Sequence, residues 1–207
     1  AHALSHGLGA LLALVGAVVL VLDASERGGL YVVGCAIYGS TLVTIFLAST
    51  ACHAAPADMP RTRTLLQRVD HGAIYLAIAG TYTPFSLFVI PPPWGPFLLA
   101  AIWILAGVGL LNTAHSFFSN VSGARERRYR RRSLVLYLLM GWLAVVAIKP
   151  LVQALPMWPL AFVFLGGAAY TVGVAFFVSP RKWSHSVWHA FVLVGAACHY
   201  LALVLVV

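Results

Sequence analysis

Two histidines four residues apart, His185 and His189, open the last apolar segment of the chain. Residues four apart share one face of a helix, so these imidazoles would lie one turn apart, about 6 Å along the axis. His53 ends an earlier apolar segment at the same expected depth and would supply a third nitrogen donor. Three protein ligands with a fourth position left for water are the arrangement of catalytic zinc. The sequence therefore predicts a Zn²⁺ site at these three histidines.

Two oxygen-bearing residues accompany the predicted ligands. Ser49 precedes His53 by four residues and shares its helix face, while Asp70 follows the connection that returns the chain to the same level. Because zinc lowers the pKa of bound water to about 7, a nearby carboxylate can accept the proton as general base. We interpret Asp70 as that base. Ser49 could orient a ligand, hold the water or donate a hydrogen bond to a developing oxyanion.

Each of these residues also has a simpler interpretation. Two histidines at the start of a helix can be interfacial residues without a metal, and Ser49 can serve close helix packing. Asp70 can instead form a salt bridge with Arg68 or with another arginine. A carboxylate near the hydrocarbon needs a partner, however, and this favours the metal interpretation.

Four other histidines have different interpretations. His199 follows His189 by ten residues and lies roughly 15 Å deeper, which predicts a hydrogen-bonded core residue. His71 points about 100° away from Asp70 on a helix. It is interpreted as an interfacial residue, and the alternative is that it serves as a spare metal ligand. His6 and His115 fall on the same side as the site, and either could support a ligand from behind. Neither is included among the predicted ligands.

The composition indicates that a membrane surrounds these residues. Hydrophobic residues make up 61% of the 207 positions and charged residues 9%, with a mean hydropathy of +0.93. About 20 apolar residues span the hydrocarbon, and seven such stretches are present. They are 4–22, 30–54, 71–90, 97–114, 134–148, 158–178 and 185–207. The predicted fold is all-α, one seven-helix transmembrane domain over residues 1–207.

The basic residues predict the orientation of this bundle. The second, fourth and sixth connections share one side of the membrane and hold eleven of the 13 Lys and Arg residues. Arg27 and Lys149 are the other two. Since Lys and Arg concentrate on the cytoplasmic side, we predict a cytoplasmic N-terminus and a C-terminus outside. This orientation is opposite to that of G-protein-coupled receptors.

The fourth connection carries a run of arginines. The sequence pI near 9.9 raises the possibility of nucleic-acid binding. Topology and anionic lipid headgroups, worth roughly 1 kcal/mol per basic residue near the surface, explain such a run instead. We interpret it as a solvated cytoplasmic loop that contacts anionic headgroups, and we expect no nucleic-acid partner. Its arginines are Arg125, Arg127, Arg128, Arg130, Arg131 and Arg132.

Four motifs of the chain are shared with a known family. They are SerThrAlaCysHis at 49–53, the stretch at 70–84, MetGlyTrpLeuAla at 140–144 and HisSerValTrpHis at 185–189. On these motifs the chain resembles, essentially end to end, the hemolysin III family. That family is the bacterial branch of the progestin and adipoQ receptors, within a superfamily that includes the alkaline ceramidases. The resemblance implies a multi-pass protein of the bacterial inner membrane whose zinc ligands and neighbours are His53, His185, His189, Ser49 and Asp70.

The resemblance implies an activity but leaves alternatives open. Relatives resemble zinc-dependent hydrolases of lipid amides such as ceramide, which predicts hydrolysis of an amide bond in a membrane lipid. A non-enzymatic lipid sensor with a structural zinc is the first alternative, and a hemolysin-type, pore-forming cytolytic protein is the second. The chain has no amphipathic β-hairpin pattern and no polar stripe continuous across the bilayer, which weighs against a pore. A di-histidine haem protein is a third alternative.

Overall fold

The fold is all-α in a computed structural model that describes residues 2–56, 58–119, 121–181 and 183–207. The helices are α1 His2–Ser25, α2 Gly29–Ala54, α3 Pro60–Pro84, α4 Trp94–Phe118, α5 Gly123–Gly141, α6 Ile148–Ala154, α7 Met157–Phe177 and α8 Ser184–Val204. A π-helical segment, Phe85–Val89, extends α3, and a 3-10 helix, Leu143–Ala147, joins α5 to α6. Seven helical segments of the described chain are long and apolar enough to cross a membrane. The predicted fold class is thereby confirmed, whereas the orientation of the termini stays a prediction.

Two of the spans, α3 and α5, begin eleven residues before their predicted apolar stretches. α3 begins at Pro60, whose fixed φ and missing N–H suit a first helical turn, and α5 begins at Gly123. The arginine run at 125–132 is therefore helical, and its interpretation as a loop is wrong. Arg and Glu are good helix formers, and Glu126 pairs with Arg130 one turn later at 2.8 Å. Apolar content identifies only the part of a helix that lies in the hydrocarbon of the membrane. The helices α3 and α5 extend beyond that part.

The helices that carry the predicted site are neighbours in the bundle. α1 packs on α2 and on α8, α2 packs on α3, and α3 packs on α4 and α5. The largest buried core lies among these elements and includes Leu20, Tyr38, Phe46 and Leu203. α7 packs chiefly on α8, and in the described part of the chain it has few contacts with α5.

Glycines permit the close approach of the helices on both sides of the site. Gly80 of α3 faces Thr41 of α2, whose side chain occupies the space that a Cβ at Gly80 would need. A Cβ at Gly173 of α7 would lie 2.8 Å from the Cβ of Phe191 on α8. Small residues at such contacts bring helix backbones together in a membrane. Hence α3 lies directly against α2, and α7 lies directly against α8.

A partly buried ion pair joins α5 to α3. Both terminal nitrogens of Arg68 on α3 donate to the carboxylate of Glu126 on α5. The Arg68 guanidinium also lies 4.4 Å from the centroid of the Tyr129 ring. A bidentate pair of this kind fixes direction as well as distance. It holds the start of α5 beside the same end of α3 that carries Asp70.

Candidate metal centre

Three imidazoles converge where α2 ends and α8 begins. Nε2 of His185 lies 3.2 Å from Nε2 of His53 and 2.9 Å from Nε2 of His189. One ligand atom from each of the three residues lies within 4.8 Å of the others. Nitrogens bound at about 2.0–2.1 Å to one tetrahedral ion would be separated by about 3.3 Å. The three histidines predicted from spacing are thus brought together in a geometry that could hold a metal ion.

A histidine of α1, His6, contacts the second ring nitrogen of His189. Nδ1 of His189 pairs with Nε2 of His6, and the two residues are 3% and 4% exposed. Metal-ligating histidines usually donate their second ring N–H to an acceptor, which fixes both tautomer and ring orientation. With Nε2 of His189 turned to the other imidazoles, the consistent assignment has Nδ1–H donating to His6. The other histidine that sequence analysis considered for this place, His115, pairs with Ser119 instead.

Ser49 and Asp70 face each other across the contact of α2 with α3. Ser49 is buried at 3% exposure, and its hydroxyl is directed at the partly buried carboxylate of Asp70. The alternative in which Asp70 pairs with Arg68 is wrong, because Arg68 binds Glu126. Among the described residues, no ion pair involves Asp70.

One cavity of about 540 Å³ unites the imidazoles with Ser49 and Asp70. Its lining residues come from six helices, α1, α2, α3, α5, α7 and α8, and the lining is largely apolar, with two arginines of α5 among it. A cavity with apolar walls and a few convergent polar groups is the usual form of a small-molecule or lipid site. Its apolar wall residues include Ile45, Ile74, Leu134, Phe177 and Val192, and its two arginines are Arg130 and Arg131.

Two further histidines lie outside the convergent group. Nδ1 of His199 lies 2.9 Å from the carbonyl oxygen of Gly195, and its ring stacks on Tyr170. The predicted hydrogen bond of His199 is confirmed, and its side chain is half-buried. His71 lines the cavity, and its ring lies 6.2 Å from the Tyr129 ring, stacked rather than joined to the other imidazoles.

The fold and the site define a class: an all-helical membrane protein with a candidate tri-histidine metal centre between its second and last helices. A family model described as Haemolysin-III related matches residues 1–200. The chain belongs to this family, as its motifs predicted.

Individual relatives agree with this assignment. The chain is 39% identical to Hemolysin-3 of Bacillus cereus over 199 residues, covering 95% of this chain and 86% of that protein. It is 36% identical to the Hemolysin-3 homolog of Bacillus subtilis (strain 168) over 202 residues, covering 97% and 90%. It is also 29% identical to the Monocyte to macrophage differentiation factor of Homo sapiens over 172 residues, covering 81% and 67%.

Proposed function

We propose that this protein is a zinc-dependent hydrolase that cleaves an amide bond of a membrane lipid. The observation that carries the proposal is the convergence of three imidazole nitrogens beside a carboxylate, within a cavity of largely apolar lining. Imidazole nitrogens suit zinc, and a set of three protein ligands leaves one position for chemistry. Asp70 and Ser49 line the same cavity and carry groups that can move or hold a proton.

Each residue of the site has a separate role in the proposed hydrolysis. Zinc held by the three histidines would polarise a carbonyl oxygen and lower the pKa of a water molecule to about 7. Asp70 takes the proton from the water whose oxygen adds to the amide carbon, and passes it to the amine as the C–N bond breaks. Ser49 lines the cavity with Asp70 and would donate a hydrogen bond that orients this carboxylate. His6 holds the ring of His189 in its ligating orientation.

The apolar walls of the cavity suit a lipid acyl chain. Leu134 of α5 and Phe177 of α7 both line it, although those two helices have little contact with each other. A chain can therefore reach the cavity laterally from the bilayer, between α5 and α7. By the distribution of basic residues, this end of the bundle faces the cytoplasmic leaflet of the bacterial inner membrane.

Replacement of Asp70 by asparagine tests the proposal. Asp70→Asn keeps the shape of the side chain but removes its basicity, so hydrolysis of ceramide in mixed micelles falls about 10²–10⁴-fold. Zinc content, measured on the same purified sample, stays at the level of the parent protein because Asp70 is not a ligand. Asp23→Asn, at an exposed position near the end of α1, is the matched control and keeps full activity. Undiminished hydrolysis by Asp70→Asn refutes the assignment.

A lipid sensor with a structural metal is the second candidate. It is favoured by the location of the ligands on different helices, since a metal bound to His53 and His185 would link α2 to α8. In that case removal of zinc lowers the melting temperature, but the purified protein releases no fatty acid from amide lipids. Measuring both quantities on one sample separates the sensor from the hydrolase.

Membrane lysis is a further candidate, because the relative from Bacillus cereus is named Hemolysin-3. Dye release from liposomes containing the purified protein measures it directly. Under the hydrolase proposal, the release equals that from protein-free liposomes. Rapid release that Asp70→Asn does not alter favours lysis instead.

A further inference from the structure

A second groove, of about 430 Å³, lies along α5. Three arginines line it at the beginning of the helix, and three apolar residues line it further along. Charge and hydrophobicity are thus separated along the axis of one helix, as they are between a lipid headgroup and its chains. The lining residues are Arg128, Arg131, Arg132, Val135, Leu136 and Leu139.

Only some of the arginines of α5 line this groove. Arg128 and Arg132 lie one helical turn apart and face it together. Arg130 is occupied by Glu126 at 2.8 Å. Arg125 and Arg127 are exposed and line neither the groove nor the cavity of the metal centre. No acidic side chain is among the described residues that line the groove, so its positive charge is not neutralised from within.

We propose that this groove binds the headgroup of an anionic phospholipid. The phosphate lies between Arg128 and Arg132, because guanidinium groups match phosphate in charge and in hydrogen-bond geometry. The acyl chain follows Val135 and Leu139, which are 49% and 62% exposed. An apolar half next to the charged half suits a lipid better than a free phosphate ion. The groove shares Arg131 with the cavity of the metal centre but contains none of the three histidines, and the proposal does not require that the protein hydrolyse anything.

Native mass spectrometry of the full chain in detergent tests this site. Phosphatidylglycerol and phosphatidylcholine with identical acyl chains are titrated against the parent protein and two double variants. The parent is expected to prefer phosphatidylglycerol about tenfold, in line with the attraction of juxtamembrane arginines for anionic lipids. Arg128→Gln/Arg132→Gln is expected to bring the two affinities close to equal. Arg131 is left unchanged because it also lines the metal cavity.

A second double variant, which removes two arginines outside the groove, serves as the control. Arg125→Gln/Arg127→Gln removes the same charge from the same helix but outside the groove, and it is expected to keep the tenfold preference. Arg128→Lys/Arg132→Lys keeps the charge and is expected to retain most of that preference, while melting curves verify that each variant folds. An equal loss in both glutamine variants, or no loss in either, overturns the proposal. Displacement of the lipid by inorganic phosphate at the same concentration also overturns it, because the groove would then bind phosphate alone.

Discussion

At the residue scale, the orientation of His189 depends on two neighbours with different roles. Its Nε2 points at the other two imidazoles, and its Nδ1 is paired with His6. A buried ring engaged at both nitrogens cannot turn without losing one of the contacts. α1 therefore contributes to the metal centre although it supplies none of the three convergent ligand atoms.

Replacing His6 tests this contribution. His6→Ala leaves the three ligands in place but removes the acceptor for His189, and we expect metal affinity to fall about 10–100-fold. Competition with a chelator of known affinity measures the change on purified protein. His6→Gln, which offers an amide oxygen as acceptor, is expected to recover part of the loss. An affinity equal to that of the exposed control His115→Ala would contradict the role given to His6.

Sequence could predict part of this site and not the rest. Helical spacing and expected depth were enough to bring His53, His185 and His189 to one level, with Asp70 beside them. They were not enough to select His6 over His115, because α1 is apolar on nearly every face and nothing in its pattern marks the side turned to α8.

At the element scale, the site depends on how closely α3 approaches α2. Gly80 and Thr41 meet at that contact, and the same two helices carry Asp70 and Ser49. The start of α5 could not be predicted from hydropathy, because its first turns are charged. Its position comes from the pairing of Arg68 with Glu126, residues that are distant in sequence.

Adding a methyl group at Gly80 tests the contact. Gly80→Ala forces the new Cβ against Thr41, and overpacking of this kind costs about 1–3 kcal/mol of unfolding free energy. The melting temperature in detergent is expected to fall accordingly. Gly107→Ala is the matched control, since the Cβ it would add points into open space. Equal melting temperatures for the two variants would show that α2 and α3 are not closely apposed there.

At the scale of the whole molecule, the distribution of basic residues over the connections predicts which side of the membrane the candidate metal centre faces. The candidate metal centre, the arginines of α5 and the connection between α7 and α8 all lie at one end of the bundle. The sequence predicts that this end faces the cytoplasm, since basic side chains are retained on that side during insertion. A substrate would then be taken from the inner leaflet.

Reporter fusions test the orientation. Alkaline phosphatase joined after Val207 is expected to be active, because the C-terminus is predicted to lie outside and the enzyme folds only there. The same reporter joined after Ser122, between α4 and α5, is expected to be inactive. Immunoblots establish that both fusions are produced. The reverse pattern of activity would place the candidate metal centre at the outer leaflet.

The metal content of the purified protein tests the central claim most directly. We expect elemental analysis to find about one zinc per chain, as three histidine ligands predict. His189→Ala is expected to lower this content to background, and His115→Ala is expected to leave it unchanged. A parent protein without zinc, or a His189→Ala variant that retains all of it, would contradict the account.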